Sequence, residues 1–353
     1  MPTTMTFGLN GAVQSLPAEV RIAYDLKLLK AARPNLLHIQ FADKRPIPKN
    51  MGTSIQLRRF ELLYAAGTAY NQYSGALVND VTTAAGRKAA LQATPGALQE
   101  GVTPVADSLV VSSVNIPVLQ YGNFLQVTDV LSWVAIDPVL SEAADKLGQN
   151  AGQTLDQLAR DFIVAGSNVQ FAGGGTTRSG VTPAQTLGFG AELKKAVRTL
   201  EKGFVDKIGG DYIAIVSPDT KYDIMGISEW INAREYSDPK DMYAGELGKL
   251  YGIRFVESPL AKIYAGSGIP AGTAGNTGGS TGQDIHATLI FGNKPFSCTE
   301  ITGESLNMIV KPLGSAGALD PLNQRATSAW KASFGGTIVN QNFCVRVEHS
   351  VTP

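Results

Sequence analysis

The chain is predicted to fold as an α+β protein, and three observations point that way. One apolar stripe runs unbroken for a helix of about 28 residues. Strand-like segments occur in groups and do not alternate regularly with helices, so a βαβ repeat is not expected. Stretches rich in glycine and poor in charge separate these elements. Hydrophobic residues make up 44% of the 353, ample for a packed core, and the length suggests roughly two domains. Charged residues are only 17%, and thirty Lys+Arg balance thirty Asp+Glu. A neutral chain has no overall field to draw in DNA or an anionic membrane, which disfavours a dedicated nucleic-acid binder. So little surface charge also removes the usual protection against self-association. A chain of this composition is expected to associate with itself.

Residues 1–52 show little periodicity and contain Pro17, Pro34, Pro46 and Pro48. Over residues 1–64 nine Lys+Arg face four Asp+Glu, a local balance of +5. This reads as an extended basic arm with one short amphipathic helix near Glu19–Ala32. The arm either packs along the chain's own surface or contacts a partner.

Residues 53–63 and 108–119 read as strands. In the second, Val110, Val114, Ile116 and Val118 share one parity, the period of a half-buried strand. Pro117 cannot donate to a ladder and places that strand at a sheet edge. In such a strand Arg58 and Arg59 point to opposite faces. From 65 to 136 there are two basic and four acidic residues, so a long hairpin-like excursion carries little charge. Such a surface either packs under its own domain or forms an interface.

Asp137 and Pro138 are a helix N-cap and first helical residue. Leu140, Ala144, Leu147, Ala151, Leu155, Leu158 and Phe162 then form one stripe, the spine helix of the fold. Gly148 and Gly152 weaken that helix unless close packing needs them. After a loop with Gly173, Gly174 and Gly175, Leu193, Ala196, Val197 and Leu200 give a second helix face. DYIAIVS (211–217) reads as a buried strand, and Ser217-Pro218-Asp219 opens a third helix. Short strands are expected near 253–256, 287–291 and 306–310. Residues 266–282 form a low-complexity loop. In the final strand Phe343, Val345 and Val347 alternate with Cys344, Arg346 and Glu348.

Sites of chemistry are hard to find. Cys298 and Cys344 lack a CxxC partner and read as buried thiols of a reducing compartment. His38, His286 and His349 are too scattered for a metal cluster, so neither a metal nor a cofactor is expected. GGSTG (278–282) matches a nucleophile elbow around Ser280, with Asp284 and His286 nearby. That elbow needs a strand before it and a helix after it, and here both flanks are glycine-rich loop. GSGIPAG (266–272) has the wrong glycine spacing for a dinucleotide, and phosphate-loop and HExxH motifs are absent. The chain is expected not to be an enzyme. The first basic residue is Arg21, which speaks against a secretory signal, and residues 108–128 are too polar to span a bilayer. A soluble, intracellular product is expected, with no membrane partner.

Two long segments carry more than periodicity. FADKRPIPKNMGTSIQLRRF (41–60) and DPLNQRATSAWKASFGGTIVNQNFCVRVEH (320–349) resemble signature segments of a subfamily of tailed-bacteriophage major capsid proteins. LYGIRFVESPLAKI (250–263) and TLIFGNKPFSCTEI (288–301) are similar to two central-domain strands of those proteins. Where the resembled segment reads Arg-Gly-Thr, this chain has Arg325-Ala326-Thr327, which leaves the local turn open.

The resemblance implies the capsid fold shared by tailed phages, herpesviruses and encapsulins. Residues 1–52 would be the N-terminal arm and 53–136 the extended loop over a neighbouring subunit. Residues 137–184 and 300–353 would form the peripheral domain and 185–299 the axial domain. It further implies self-assembly into pentons and hexons of an icosahedral head around double-stranded DNA in the host bacterial cytoplasm. A portal, a separate scaffolding protein and a cementing protein would be further partners. Arg58 or Arg59 would pair with an acid on a neighbour. Asp320, Arg325 and Trp330 would support the peripheral domain or its three-fold contacts. An encapsulin-like protein compartment is the alternative on the same fold, and a serine hydrolase through Ser280 the alternative from another class.

Overall fold

The computed structural model describes residues 28, 30–32, 36–49, 52–60, 111–134, 139–227, 248–270, 273, 282–302, 306–315, 320 and 322–352. The chain divides into two compact units. Unit one takes residues 1–36, 118–156 and 300–334, and unit two takes 37–117, 157–299 and 335–353. Helices and sheets build both, antiparallel in unit one and mixed in unit two, as the α+β expectation requires.

In unit one the strand β4 (Leu119–Thr128) pairs antiparallel with the first ten residues of β13 (Arg325–Ile338). On its other edge β13 pairs antiparallel with β12 (Asn307–Lys311). Ala326 sits in regular strand opposite Val127, so the alanine needs no left-handed turn. A short helix, α1 (Asp129–Val134), follows β4 directly. The spine is α2 (Val139–Val164), whose residues to Asp156 belong to this unit. Ala144, Leu147, Ala151 and Leu155 of the expected stripe are buried. Gly148 has a packing reason: a Cβ there would lie 2.7 Å from the Leu28 carbonyl oxygen and 2.8 Å from the Ala31 Cβ. The arm's helical residues thus approach the spine more closely than any side chain allows. Asp137 and Pro138, the expected cap, lie outside the described residues.

Unit two is built on a seven-stranded mixed sheet. Its path runs β5 (Val169–Phe171), β14 (Cys344–His349), β10 (Ile285–Phe291), β6 (Tyr212–Val216), β8 (Ile253–Glu257) and β7 (Lys249–Leu250). The seventh strand, β9 (Ile263–Tyr264), pairs with β10. Every residue of β6 and β10 is buried, because a central strand covered on both faces loses its alternation. One core gathers Leu193, Ala196 and Leu200 of α3 (Ala191–Lys202), Ile224 of α4 (Pro218–Met225), and Tyr212, Ala214, Val216, Phe255, Ile290, Val345 and Val347 from the strands. The expected N-cap of α4 is present: the Ser217 hydroxyl accepts from the Thr220 N–H. Beside this sheet, β1 (Asp43–Lys44) runs parallel to β11 (Phe296–Thr299), which pairs in turn with residues 335–338 of β13. The hydroxyls of Ser297 and Thr299 donate to the Asp43 and Arg45 carbonyls at 2.7 and 2.6 Å, pinning the arm.

A separate ladder in the same unit joins β2 (Ser54–Phe60) and β3 (Val111–Pro117) antiparallel, with Ser54 opposite Pro117. The excursion between Phe60 and Val111 lies outside the described residues.

The final strand departs from the sequence reading. The alternation of Phe343, Val345 and Val347 with Cys344, Arg346 and Glu348 does not carry through to burial: Glu348 and His349 are fully buried. Burial is possible because β14 lies between two strands and the Glu348 carboxylate has cationic partners. Arg178 grips it through Nε and Nη2 at 2.6 and 2.8 Å, and Arg346 Nε adds a third bond at 2.8 Å. The same carboxylate pushes the Arg178 guanidinium pKa up. Arg178 also stacks on the Tyr264 ring at 3.4 Å, and burial pushes the Tyr264 phenol up.

Candidate subunit-contact site

The β2–β3 ladder sorts its side chains by period 2. Ile55, Leu57 and Arg59 share a face with Ile116 and Val114, which are buried or half-buried. Ser54, Gln56 and Arg58 share the exposed face with Ser113, Asn115 and Pro117. Arg59 Nη1 donates to the Val339 carbonyl at 2.9 Å, an internal anchor. Arg58, opposite Ser113, faces solvent.

The C-terminal trio separates in the same way. Trp330 is buried, and its indole N–H donates to Asn150 Oδ1 on the spine at 3.0 Å. That oxygen also accepts from Asn123 Nδ2 of β4 at 3.2 Å, so one amide ties spine, sheet edge and centre together. Asp320 is buried and its carboxylate accepts the Arg325 backbone N–H at 2.8 Å, fixing the entry to β13. The Arg325 side chain is exposed. Trp330 and Asp320 thus do internal work in unit one, while Arg325 presents a cation to the outside.

Sequence reading missed β4, because its residues follow no burial period: nine of the ten are exposed or half-exposed. Leu119, Phe124 and Leu125 of β4 and Val130 and Leu131 of α1 are large apolar side chains left in water, with Phe124 63% exposed. They fall in the charge-poor stretch; between 111 and 134 the sole charged residue is Asp129. The absence of charge was the signal that marked this surface.

The hydrolase pattern does not assemble. Ser280 lies outside the described residues. Asp284 Oδ1 accepts the Gly266 N–H at 2.7 Å, and His286 Nδ1 lies 2.8 Å from the Ser217 hydroxyl in the interior. Burial lowers the His286 pKa despite Asp219, Asp284 and Asp223. His349, bonded to Thr288 at 2.9 Å, is pushed down to about 3 by burial. Both cysteines are buried and free, and burial pushes the Cys344 thiol up to about 12. Among the described residues no group of His, Cys, Asp and Glu has the arrangement of a metal site, and no helix is long and apolar enough to cross a membrane.

The described residues thus combine exposed apolar side chains on β4 and α1 with no group arranged as a metal site. The family model described as phage capsid protein matches residues 110–288, just over half of the chain. The chain belongs to the phage capsid protein family. It is a structural protein of the viral head, a major capsid protein. Its fold is that of solved phage capsids. The cyanophage P-SCSP1u capsid matches with a TM-score of 0.57 at 15% identity, over 88% of this chain and 87% of that one. The Ralstonia phage GP4 capsid gives a TM-score of 0.60 at 10% identity, over 89% and 88%. The cyanophage Pam1 capsid gives 0.59 at 14%, over 99% and 98%. No curated protein matches the sequence. For the capsid protein, the resemblance to tailed-phage capsid proteins is borne out at the level of the family, and so is the fold it implied.

Proposed function

We propose that this capsid protein closes, through many copies of itself, into an icosahedral head that packages double-stranded DNA in the host cytoplasm. The observation that carries the reading is the apolar surface of Leu119, Phe124, Leu125, Val130 and Leu131, exposed in a chain of the capsid family. Covering it against further copies removes large side chains from water, and each subunit of a shell is held by several neighbours at once. The shell carries out no catalysis. DNA contact is non-specific and local, drawn from the +5 balance of residues 1–64. A portal, a separate scaffolding protein and a cementing protein are its further partners.

The parts act as arm (1–52), extended loop (53–136), peripheral domain (137–184 with 300–353) and axial domain (185–299). In this division Arg58 and Arg325 are the cations offered to neighbours, while Arg59, Asp320 and Trp330 hold the subunit's own frame. Electron microscopy of particles from the full-length chain, expressed alone and with the head-assembly proteins of a phage, tests the reading. DNA-competent heads support it. Shells that form unaided around a protein cargo and never take up DNA would replace it with a protein compartment.

A further inference from the structure

The end of α3 carries an anomaly. The Val205 N–H donates to the Leu200 carbonyl at 3.3 Å and the Phe204 N–H to the Glu201 carbonyl at 3.1 Å. These are the two bonds of a Schellman ending, which puts one residue in the left-handed region, normally glycine. Here Gly203 sits one position early with φ −85°, and Phe204 takes the left-handed place with φ 50°. A bulky side chain is strained there, and Phe204 is also 66% exposed. An aromatic ring held in solvent on a strained backbone gains nothing for its own subunit.

The same unit offers a receptor. A cleft of about 460 Å³ is lined by Thr186, Gly188, Tyr222, Met225, Gly226 and Thr352, with Asp223 at its wall. Tyr222, on its lip, is 72% exposed. The Leu187–Phe189 turn that helps form it leads directly into α3 and packs on α4. The cleft therefore lies at the start of α3 and Phe204 just past its end. Twelve helical residues separate the two, about 18 Å at 1.5 Å each. A knob and a hole at opposite ends of one helix cannot meet within a chain, but they can meet between copies. A head-to-tail contact of this kind repeats from copy to copy, and where its rotation closes it forms a ring. Charge agrees: Arg198 is exposed on the last turns of α3, and Asp219 is exposed on the first turn of α4. Glu201 beside the knob is paired with Lys207 at 3.5 Å.

We infer that Phe204 of one subunit inserts into the Tyr222–Met225 cleft of the next, a head-to-tail contact that builds the capsomer ring. The inference rests on the capsid reading and names the contact by which copies would join. Two variants of the full-length chain test it, beside the wild type. In Phe204→Gly the left-handed position receives its natural residue, so the unassembled subunit melts no lower, and up to about 3 °C higher. Its particle yield falls at least tenfold. Opposite signs for subunit and particle are what an interface anchor produces and a structural residue does not. The doubly substituted Phe204→Cys, Tyr222→Cys chain, oxidised with diamide, gives a ladder of covalent multimers. An internal disulfide is excluded because its Cα atoms must lie within about 7 Å. Wild-type particles together with unchanged yield in Phe204→Gly, a lower melting point in that variant, or an oxidised double variant that stays monomeric, each overturns the contact alone. A wild type that forms no particles under head-assembly conditions overturns the capsid reading and this contact with it.

Discussion

The two sheets of this capsid protein are built from similar strands and come to opposite ends. In unit two, β6 and β10 are buried along their whole length, and even β14 hides a carboxylate and a histidine. Its polar groups find partners inside: Glu348 with two arginines, His349 with Thr288, Ser217 with His286. In unit one, β4 turns Leu119, Phe124 and Leu125 to solvent although its backbone ladder to β13 is complete. Backbone pairing alone therefore does not finish a sheet; a face must also be covered. Unit two covers both faces of its central strands, whereas β4 of unit one leaves large apolar side chains exposed on both of its faces, Phe124 on one and Leu119 and Leu125 on the other. Substitutions in the first should damage folding, and substitutions in the second should damage assembly.

The largest effect is expected where unit two is most committed. Glu348→Gln leaves Arg178 and Arg346 without the carboxylate that joins them. Breaking a buried ion pair costs about 3–5 kcal/mol, and urea unfolding of the unassembled subunit should show a loss of that order. An unchanged midpoint would mean that β14 does not depend on its buried charge.

Acid should probe the same sheet. His349 is held neutral with its pKa near 3, against about 6.5 when unfolded. A depressed histidine leaves stability intact above the unfolded value. Below it the unfolded chain binds a proton that the native state refuses, and stability falls until the folded value is reached. Between pH 6.5 and 5 the loss is about 2 kcal/mol for this group. Urea midpoints measured from pH 7 to pH 5 should show that decline, and His349→Gln should flatten it. An equal slope in the variant would remove His349 from the account.

A smaller loss is expected at the spine. Gly148→Ala drives a methyl to within 2.7 Å of the Leu28 carbonyl, and overpacking of this kind costs about 1–3 kcal/mol. The helix propensity gain of up to about 1 kcal/mol partly offsets it. If the thermal midpoint rose instead, the arm would not be seated on the spine.

The smallest effect on folding should accompany a large effect on assembly. Phe124→Ser on the exposed face of β4 should shift subunit stability by no more than about 0.5 kcal/mol. Sedimentation should nevertheless show fewer particles. Normal assembly in that variant would return β4 to an ordinary solvent-facing strand.

Much of unit two was legible in the sequence, because covered strands and capped helices write themselves as apolar runs and Ser-Pro-Asp starts. DYIAIVS became β6 and Ser217 capped α4, and in unit one the stripe beginning at Ala144 became the spine. The burial of Glu348 was not legible because alternation reports one covered face, and β14 has cover on both. The strand β4 escaped notice for the converse reason: a strand with nine of its ten residues exposed or half-exposed carries no internal period. Its lack of charge was the one trace it left. Of the contact residues, the opposite facing of Arg58 and Arg59 followed from strand geometry alone. Trp330's bond to Asn150 joins positions 180 residues apart, and no local pattern could show it.

Side-chain footprinting of the free subunit and of assembled particles tests the contrast most directly. Hydroxyl radicals should label Leu119, Phe124 and Leu125 strongly in the subunit and weakly in the particle, while Tyr212 and Phe291, buried in unit two, stay protected in both. Equal labelling of Phe124 in the two states would contradict the account, because the exposed side chains of β4 would then have no second copy to cover them.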